Sequence, residues 1–418
     1  MIKKGLVILD IAGKINKDEL VALCRQLIKI PSHKEVKGQE GEIAWFIKKT
    51  LEKENIDTEF QEVASGRCNV IAKIEGTGTG SSLLFNGHMD TVRPHGMTDP
   101  YGAKVKGGRI WGRGAADMKA GLAGMMYTLM VLKRERIKLQ GSLILAAVVG
   151  EENVSEGTQK LVMDGPLAEM AIVGEPTSLS IVTAHRGIEW LEIKVKGKSA
   201  HAGVPERGVN AIVSAAKIIY TLEKKLSFIL SKKSHPLLGS PTFNVGKIRG
   251  GIRNSVVPEL CTIQLDRRTI PGEKTPDVIK EIQEIITEVK KRHAEIDAKV
   301  SAIPVGPESE DELKQLEGQN IKVPPHEPME ISPESKIVTV LKEAIRQLTG
   351  RKPQIKGMPG WTDAALLTNM AKVPSVVFGP GDILQAHSNE EWVEIEELVQ
   401  ATRVYIYTAL RVCGLKRR

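Results

Sequence analysis

Aromatic residues are scarce in this chain, with Phe, Trp and Tyr together at 4%. That removes the flat platforms on which single-stranded nucleic acids stack. Cysteine is scarcer still. Cys24, Cys68, Cys261 and Cys413 are scattered without a Cys-x-x-Cys spacing, which excludes a disulfide framework and a thiolate metal site. No apolar run approaches the roughly 20 residues of a membrane-spanning helix. The opening Met1-Ile2-Lys3-Lys4 lacks the pattern of a secretory leader, so a cytoplasmic protein is expected. Charge blocks of one sign are missing too. The net charge is +8, but Lys and Arg interleave with Glu over 133–138 and with Glu and Asp over 290–299; only Lys416-Arg417-Arg418 is a basic run. Such mixing speaks for solubility and against a nucleic-acid or membrane partner. Gly76-Thr77-Gly78-Thr79-Gly80 has no following Lys-Ser/Thr, so it reads as a hairpin turn rather than a phosphate loop.

The hydrophobic and charged fractions, 41% and 26%, are those of a globular protein, and 418 residues predict two domains. Asn16 caps a first helix, with Glu19 at the capping-box position and Leu20, Leu23, Cys24, Leu27 and Ile28 on one stripe. A second helix is predicted over 42–54. Strands are predicted at 70–74, 82–86, 142–149, 170–173 and 375–378, with a helix at 120–132 between them. The last four strands are nearly continuous apolar runs, as in strands covered on both faces. Their alternation with helices indicates an α/β class with a mostly parallel sheet. From 187 to 303 the rhythm changes. Strands at 188–195, 243–248, 260–265 and 296–302 and helices at 209–226 and 277–292 give β-α-β-β-α-β, a ferredoxin-like small domain. The Pro- and acid-rich passage 304–333 leads back. There Ser332 caps a helix with Pro333 at its first position, and Gly350 ends it. One domain is thus discontinuous, 1–186 with 304–418, and 187–303 is inserted.

Chemistry concentrates where predicted strands stop. Leu83-Leu84-Phe85-Asn86-Gly87-His88-Met89-Asp90 ends an apolar run in His-x-Asp, which places both side chains on one side of an extended chain. Asp90 is thereby placed to hold the second ring nitrogen of a metal-ligating His88. Glu151-Glu152 follows the third of these strands and Glu175 the fourth; His387 follows the last. Asp117 lies in the turn before the 120–132 helix. Open α/β sheets bind ligands at the carboxyl ends of their strands, so these groups are expected to converge. Two imidazoles and several carboxylates suit Zn, Co or Mn in hydrolysis. One shared carboxylate and two others would give each of two divalent ions three protein ligands. The Glu151-Glu152 pair then offers one ligand and one free base.

The chain resembles the metallopeptidase family that includes acetylornithine deacetylase, succinyl-diaminopimelate desuccinylase, aminoacylase and bacterial glutamate carboxypeptidases. The motifs are Gly87-His88-Met89-Asp90-Thr91-Val92, Gly112-Arg113-Gly114 with Asp117-Met118-Lys119-Ala120-Gly121, Gly150-Glu151-Glu152 and Gly174-Glu175-Pro176-Thr177. The resemblance covers nearly the whole chain. It implies a zinc-exopeptidase-like catalytic domain with a lid and dimerisation domain inserted, two Zn ions (Co or Mn possible), and a homodimer. It implies that His88, Asp117 and Glu175 bind one ion, that Asp117, Glu152 and His387 bind the other, and that Glu151 is the general base. It also implies a cis peptide at Asp117-Met118 and a lid His, His201, reaching the partner's active site. Asn254 matches a substrate-contacting position, and Arg268, with Arg267 as its competitor, matches the anchor of a substrate carboxylate. Trp361, in Gly360-Trp361-Thr362-Asp363, stands where relatives often have Gly.

The expected reaction is hydrolysis of the amide of an N-acyl amino acid such as acetylornithine or succinyl-diaminopimelate. A carboxypeptidase or dipeptidase with the same centre is the close rival, and a non-catalytic metal-binding assembly protein the rival of another class. His185-Arg186 reads as a hinge element with substrate contact. His33, His95, His235, His293 and His326 read as surface or loop residues.

Overall fold

The computed structural model describes residues 2–307, 309–319 and 321–416. Arg417 and Arg418 of the basic tail and Met1 lie outside them. The sequence folds around a nine-stranded sheet whose middle is parallel: Leu143–Val148, Leu83–His88, Met170–Val173 and Ser375–Val377 lie side by side in that order. Leu83–His88 and Leu143–Val148 are buried at every position. That explains why they are mostly apolar, because helices cover both faces and no position faces water; Asn86, polar within the run, donates to the Thr158 hydroxyl. An antiparallel pair, Asp57–Ala64 and Arg67–Ile74, flanks one edge; Ile181–His185, Met329–Glu330 and Ile355–Met358 complete the other.

Helix Ala120–Arg134 is buried from Ala120 to Leu132, apolar on every side, as expected of a helix in the middle of a large core. It packs against Lys17–Lys29 and Ile395–Cys413. Asn16 does cap Lys17–Lys29, its Oδ1 accepting the N–H groups of Asp18 and Glu19. The capping box is only half made, because the Glu19 carboxylate instead accepts from Tyr127 and Arg134.

Two expectations need correction. The Gly76–Gly80 run is not a hairpin turn, since Arg67–Ile74 and Leu83–His88 are not neighbours; Leu143–Val148 lies between them. The loop crosses the end of that strand against the Gly141 backbone, and a Cβ on Gly76 would collide with it. The helix assigned to Ser332 starts later. Residues 332–335 turn first, with Ser335 N–H donating to the Ser332 carbonyl, and the helix runs Lys336–Thr349 behind Ser335. Gly350 ends it in the left-handed conformation, φ 67°.

A separate four-stranded antiparallel sheet has the order Thr242–Gly250, Leu260–Thr269, Gly187–Lys196, Asp297–Ile303. Helices Ala211–Ser231 and Thr275–Arg292 bury their apolar stripes against it, forming a core of its own that includes Leu191, Ile193, Ile218, Leu222, Ile263 and Ile282. Among the described residues no helix is long and apolar enough to cross a membrane.

Candidate metal centre

His88 is the last residue of a central parallel strand and is buried. Beside it, Leu143–Val148 ends in Gly150, whose φ of 77° turns the chain so that Glu151 and Glu152 follow at the same rim. Met170–Val173 leads through Gly174 to Glu175, and the loop after Ser375–Val377 brings in His387. Asp117 comes from the turn before Ala120–Arg134, and its peptide bond to Met118 is cis.

The two imidazoles address opposite oxygens of one carboxylate. His88 Nε2 lies 3.0 Å from Asp117 Oδ1, and His387 Nε2 lies 3.3 Å from Asp117 Oδ2. Each imidazole has one more carboxylate beside it: Glu175 Oε1 at 3.5 Å from His88, and Glu152 Oε2 at 3.1 Å from His387. A tetrahedral ion about 2.0–2.1 Å from its ligands holds them about 3.3 Å apart. The separations from each imidazole to its two carboxylates are thus those of ligands around one ion, with Asp117 common to both sets. Glu175 Oε1 is buried without a hydrogen-bond partner, as a waiting ligand atom would be. Glu151 lies within the same group, its carboxylate near both His88 and Glu175.

The electrostatics carry the same message. Burial resists charging His88, yet Glu175 and Asp117 outweigh it and hold the ring well above its ordinary range. Hydrogen bonds to Asp117 and Glu152 push His387 up to about 11. Burial opposes the charge of Asp117, but the two imidazoles pull it below the usual carboxylate range. Burial, then the nearby Asp117, lifts Glu175 to about 8. Burial lifts Glu151 well above normal, with Glu175, Asp363 and Glu152 adding to it. Cations bound there would displace protons from the imidazoles.

Asp90 reaches His88 differently from the expectation. The Nδ1 of His88 lies 3.0 Å from the backbone carbonyl of Asp90 and 3.6 Å from its carboxylate. The carboxylate instead accepts the backbone N–H groups of Glu151 and Glu152. Asp363 is also buried at the centre, accepting from the Thr158 hydroxyl at 2.6 Å; burial first of all pushes it up to about 6. Glu391 escaped the sequence reading altogether, since nothing distinguishes it locally from Glu390. Its buried carboxylate accepts from Arg113 and from three backbone N–H groups of the Asp117 turn. A cleft of about 980 Å³ opens beside Asp90 and Glu152, bordered by Arg93 and by the segment carrying Leu316.

The small-sheet candidates lie elsewhere. His201 is exposed, its Nδ1 accepting the Gly203 N–H, and Asn254 is exposed. Arg268 pairs with Asp266 at 2.7 Å. Alternation along the strand buries Arg267 completely, where it holds Glu273 and the Arg268 carbonyl, so it is a packing residue. Among the described residues no hydrogen bond or ion pair joins His201, Asn254 or Arg268 to the metal-type cluster. His326 and His235 lie in loops, as expected, but are buried: His326 packs tilted against Trp361 with centroids 4.5 Å apart, and His235 has Nε2 3.0 Å from Glu330.

Comparison with known proteins gives the following. The family model described as peptidase family M20/M25/M40 matches residues 84–411. An N-formyl-4-amino-5-aminomethyl-2-methylpyrimidine deformylase of Halalkalibacterium halodurans is 29% identical, the alignment covering 96% of each chain. An acetylornithine deacetylase of Myxococcus xanthus is 30% identical over 83% of this chain and 85% of its own. The solved aminopeptidase PepT of Bacillus cereus superposes with a TM-score of 0.74 at 24% identity, covering 95% of this chain and 99% of that one.

Proposed function

The chain belongs to peptidase family M20/M25/M40, and from that membership and the cluster's geometry we propose a dinuclear-metal amidohydrolase acting on N-acyl amino acids. One observation carries the reading: Asp117 offers one oxygen to each of two His–carboxylate pairs, with Glu151 close by and in neither. His88, Asp117 and Glu175 would hold one divalent ion, and His387, Asp117 and Glu152 the other, with Zn as the metal. When bound, such a pair acidifies a water and polarises the amide carbonyl.

Glu151 takes the proton from the attacking water and passes it to the leaving amine. Its carboxylate lies near His88 and Glu175 but belongs to neither His–carboxylate pair, which suits a group that must hold a proton between the two steps. Asp90 keeps Glu151 and Glu152 in register through their backbones. The small sheet serves as lid and dimerisation surface. Ile248, Ile252 and Leu260 are exposed there, which supports a homodimer. His201, exposed and clear of its own chain's cluster, reaches the partner's centre and stabilises the oxyanion. Asn254 contacts the substrate, and Arg268 exchanges Asp266 for the substrate carboxylate, which its planar fork can grip. We place the protein in the cytoplasm.

Glu151→Ala tests the assignment. It should keep two metal equivalents while turnover falls by about 10²–10⁴-fold; unchanged turnover removes Glu151 from the role. Kinetics on N-acetylornithine, N-succinyl-diaminopimelate, an N-formyl amine and a dipeptide panel separate the substrate classes. Uniformly faster dipeptide cleavage replaces the deacylase reading by a dipeptidase. Metal loading without hydrolysis of any amide leaves the non-catalytic alternative.

A further inference from the structure

Glu391 stands four residues after His387 and is 1% exposed. Both its oxygens are used twice, and every partner is a donor. Oε2 accepts from Arg113 Nη1 at 2.6 Å and Gly114 N–H at 3.0 Å; Oε1 accepts from Ala116 N–H at 2.8 Å and Asp117 N–H at 3.1 Å. Its carbonyl also accepts the Gly112 N–H at 3.1 Å. The turn from 112 to 117 is therefore wrapped around this one side chain. Gly114, at φ 83°, supplies the left-handed step that makes successive N–H groups converge on an anion.

We propose that Glu391 is a positioning residue that fixes Asp117 relative to His387, and so selectively supports the cation held by His387, Asp117 and Glu152. The inference rests on the two-cation reading above. Its selectivity follows from where the ligands are anchored. His88 ends a buried central strand and Glu175 directly follows another. His387 sits in a loop at φ 62°, and the short stretch to Glu391 links that loop to the Asp117 turn. A carboxylate is required for this task. An amide would face two N–H donors with its own NH₂ and would give up the charge that meets the buried Arg113.

The test is stepwise titration of the metal-free, full-length protein with Zn²⁺ and with Co²⁺, by calorimetry and by Co²⁺ absorption. Glu391→Gln should weaken one of the two binding events by about 10–100-fold, as loss of an outer partner does, and leave the other within about threefold. His387→Ala should weaken the same event. The double variant should be no worse there than His387→Ala alone, because the two changes act on one unit. Two unchanged events overturn the proposal. Equal weakening of both events overturns it too, since that marks a general structural role. Should Glu391→Gln not fold, Glu391→Asp, which withdraws the same charge by one methylene, is read by the same outcomes. If the unaltered protein takes up fewer than two ions, the two-cation reading itself fails, which a silent Glu391→Gln would not imply.

Discussion

Asp90 accepts the backbone N–H of Glu152 through Oδ2 at 2.9 Å, and that of Glu151 through Oδ1 at 3.2 Å. The same residue's carbonyl faces His88 Nδ1 at 3.0 Å. One side chain thus ties the ends of two adjacent parallel strands and sets the pair that supplies a ligand and a base. Asp90→Asn presents only one oxygen to two donors. Metal affinity and kcat should both drop by about 10–100-fold, measured by zinc titration and steady-state kinetics. If both stay unchanged, the carboxylate has no part in holding that pair.

Stripping the metal should make stability respond to alkali. His387 in the metal-free fold is raised to about 11 from an ordinary 6.5. A raised imidazole contributes stability that is complete below 6.5 and disappears as pH climbs through about 11. The melting temperature of chelator-treated protein should therefore fall from neutral pH to pH ~10, and less steeply in His387→Ala. Zinc uptake should release protons and tighten with rising pH, because the ions displace the protons on His88 and His387. Calorimetry in buffers of different ionisation heat reads that release; uptake without it contradicts the assignment.

Gly121→Ala should reverse the usual helix rule. Alanine normally favours a helix over glycine by about 1 kcal/mol. Here a Cβ would land on the carbonyl oxygen of Gly174, the residue before Glu175. Backbone cannot step aside as a side chain can, so an overpacking cost of about 1–3 kcal/mol is expected at its upper end. Denaturant unfolding should show a net loss of roughly 2 kcal/mol from these two terms, with weaker zinc binding. A stabilised variant would remove the contact from the account.

The central strands were legible because burial on both faces leaves them mostly apolar, Asn86 being a polar exception, and because three of them end within a few residues of a ligand-type side chain. Helix Ile395–Cys413 was not. Its Val404-Tyr405-Ile406-Tyr407 run is β-branched and aromatic, and only burial against neighbouring helices makes it helical. Ile181–His185 was missed although Ile181, Val182 and Thr183 are β-branched strand formers, because a run of five is too short to stand out. The convergence of His88, Asp117, Glu151, Glu152, Glu175 and His387 could be read because imidazoles and carboxylates at strand ends and turns are chemically conspicuous. Asp90 and Glu391 could not be fully read, since their partners are backbone N–H groups that carry no sequence signature.

The small sheet leaves the large one at Gly187 and the chain returns at Met329, which pairs antiparallel with His185. Departure and return are thus neighbours across a single strand pairing. A doorway that narrow lets the appended unit be exchanged between relatives, or tilt as one piece on two tethers, without disturbing the strand ends on which the proposed ligands are mounted.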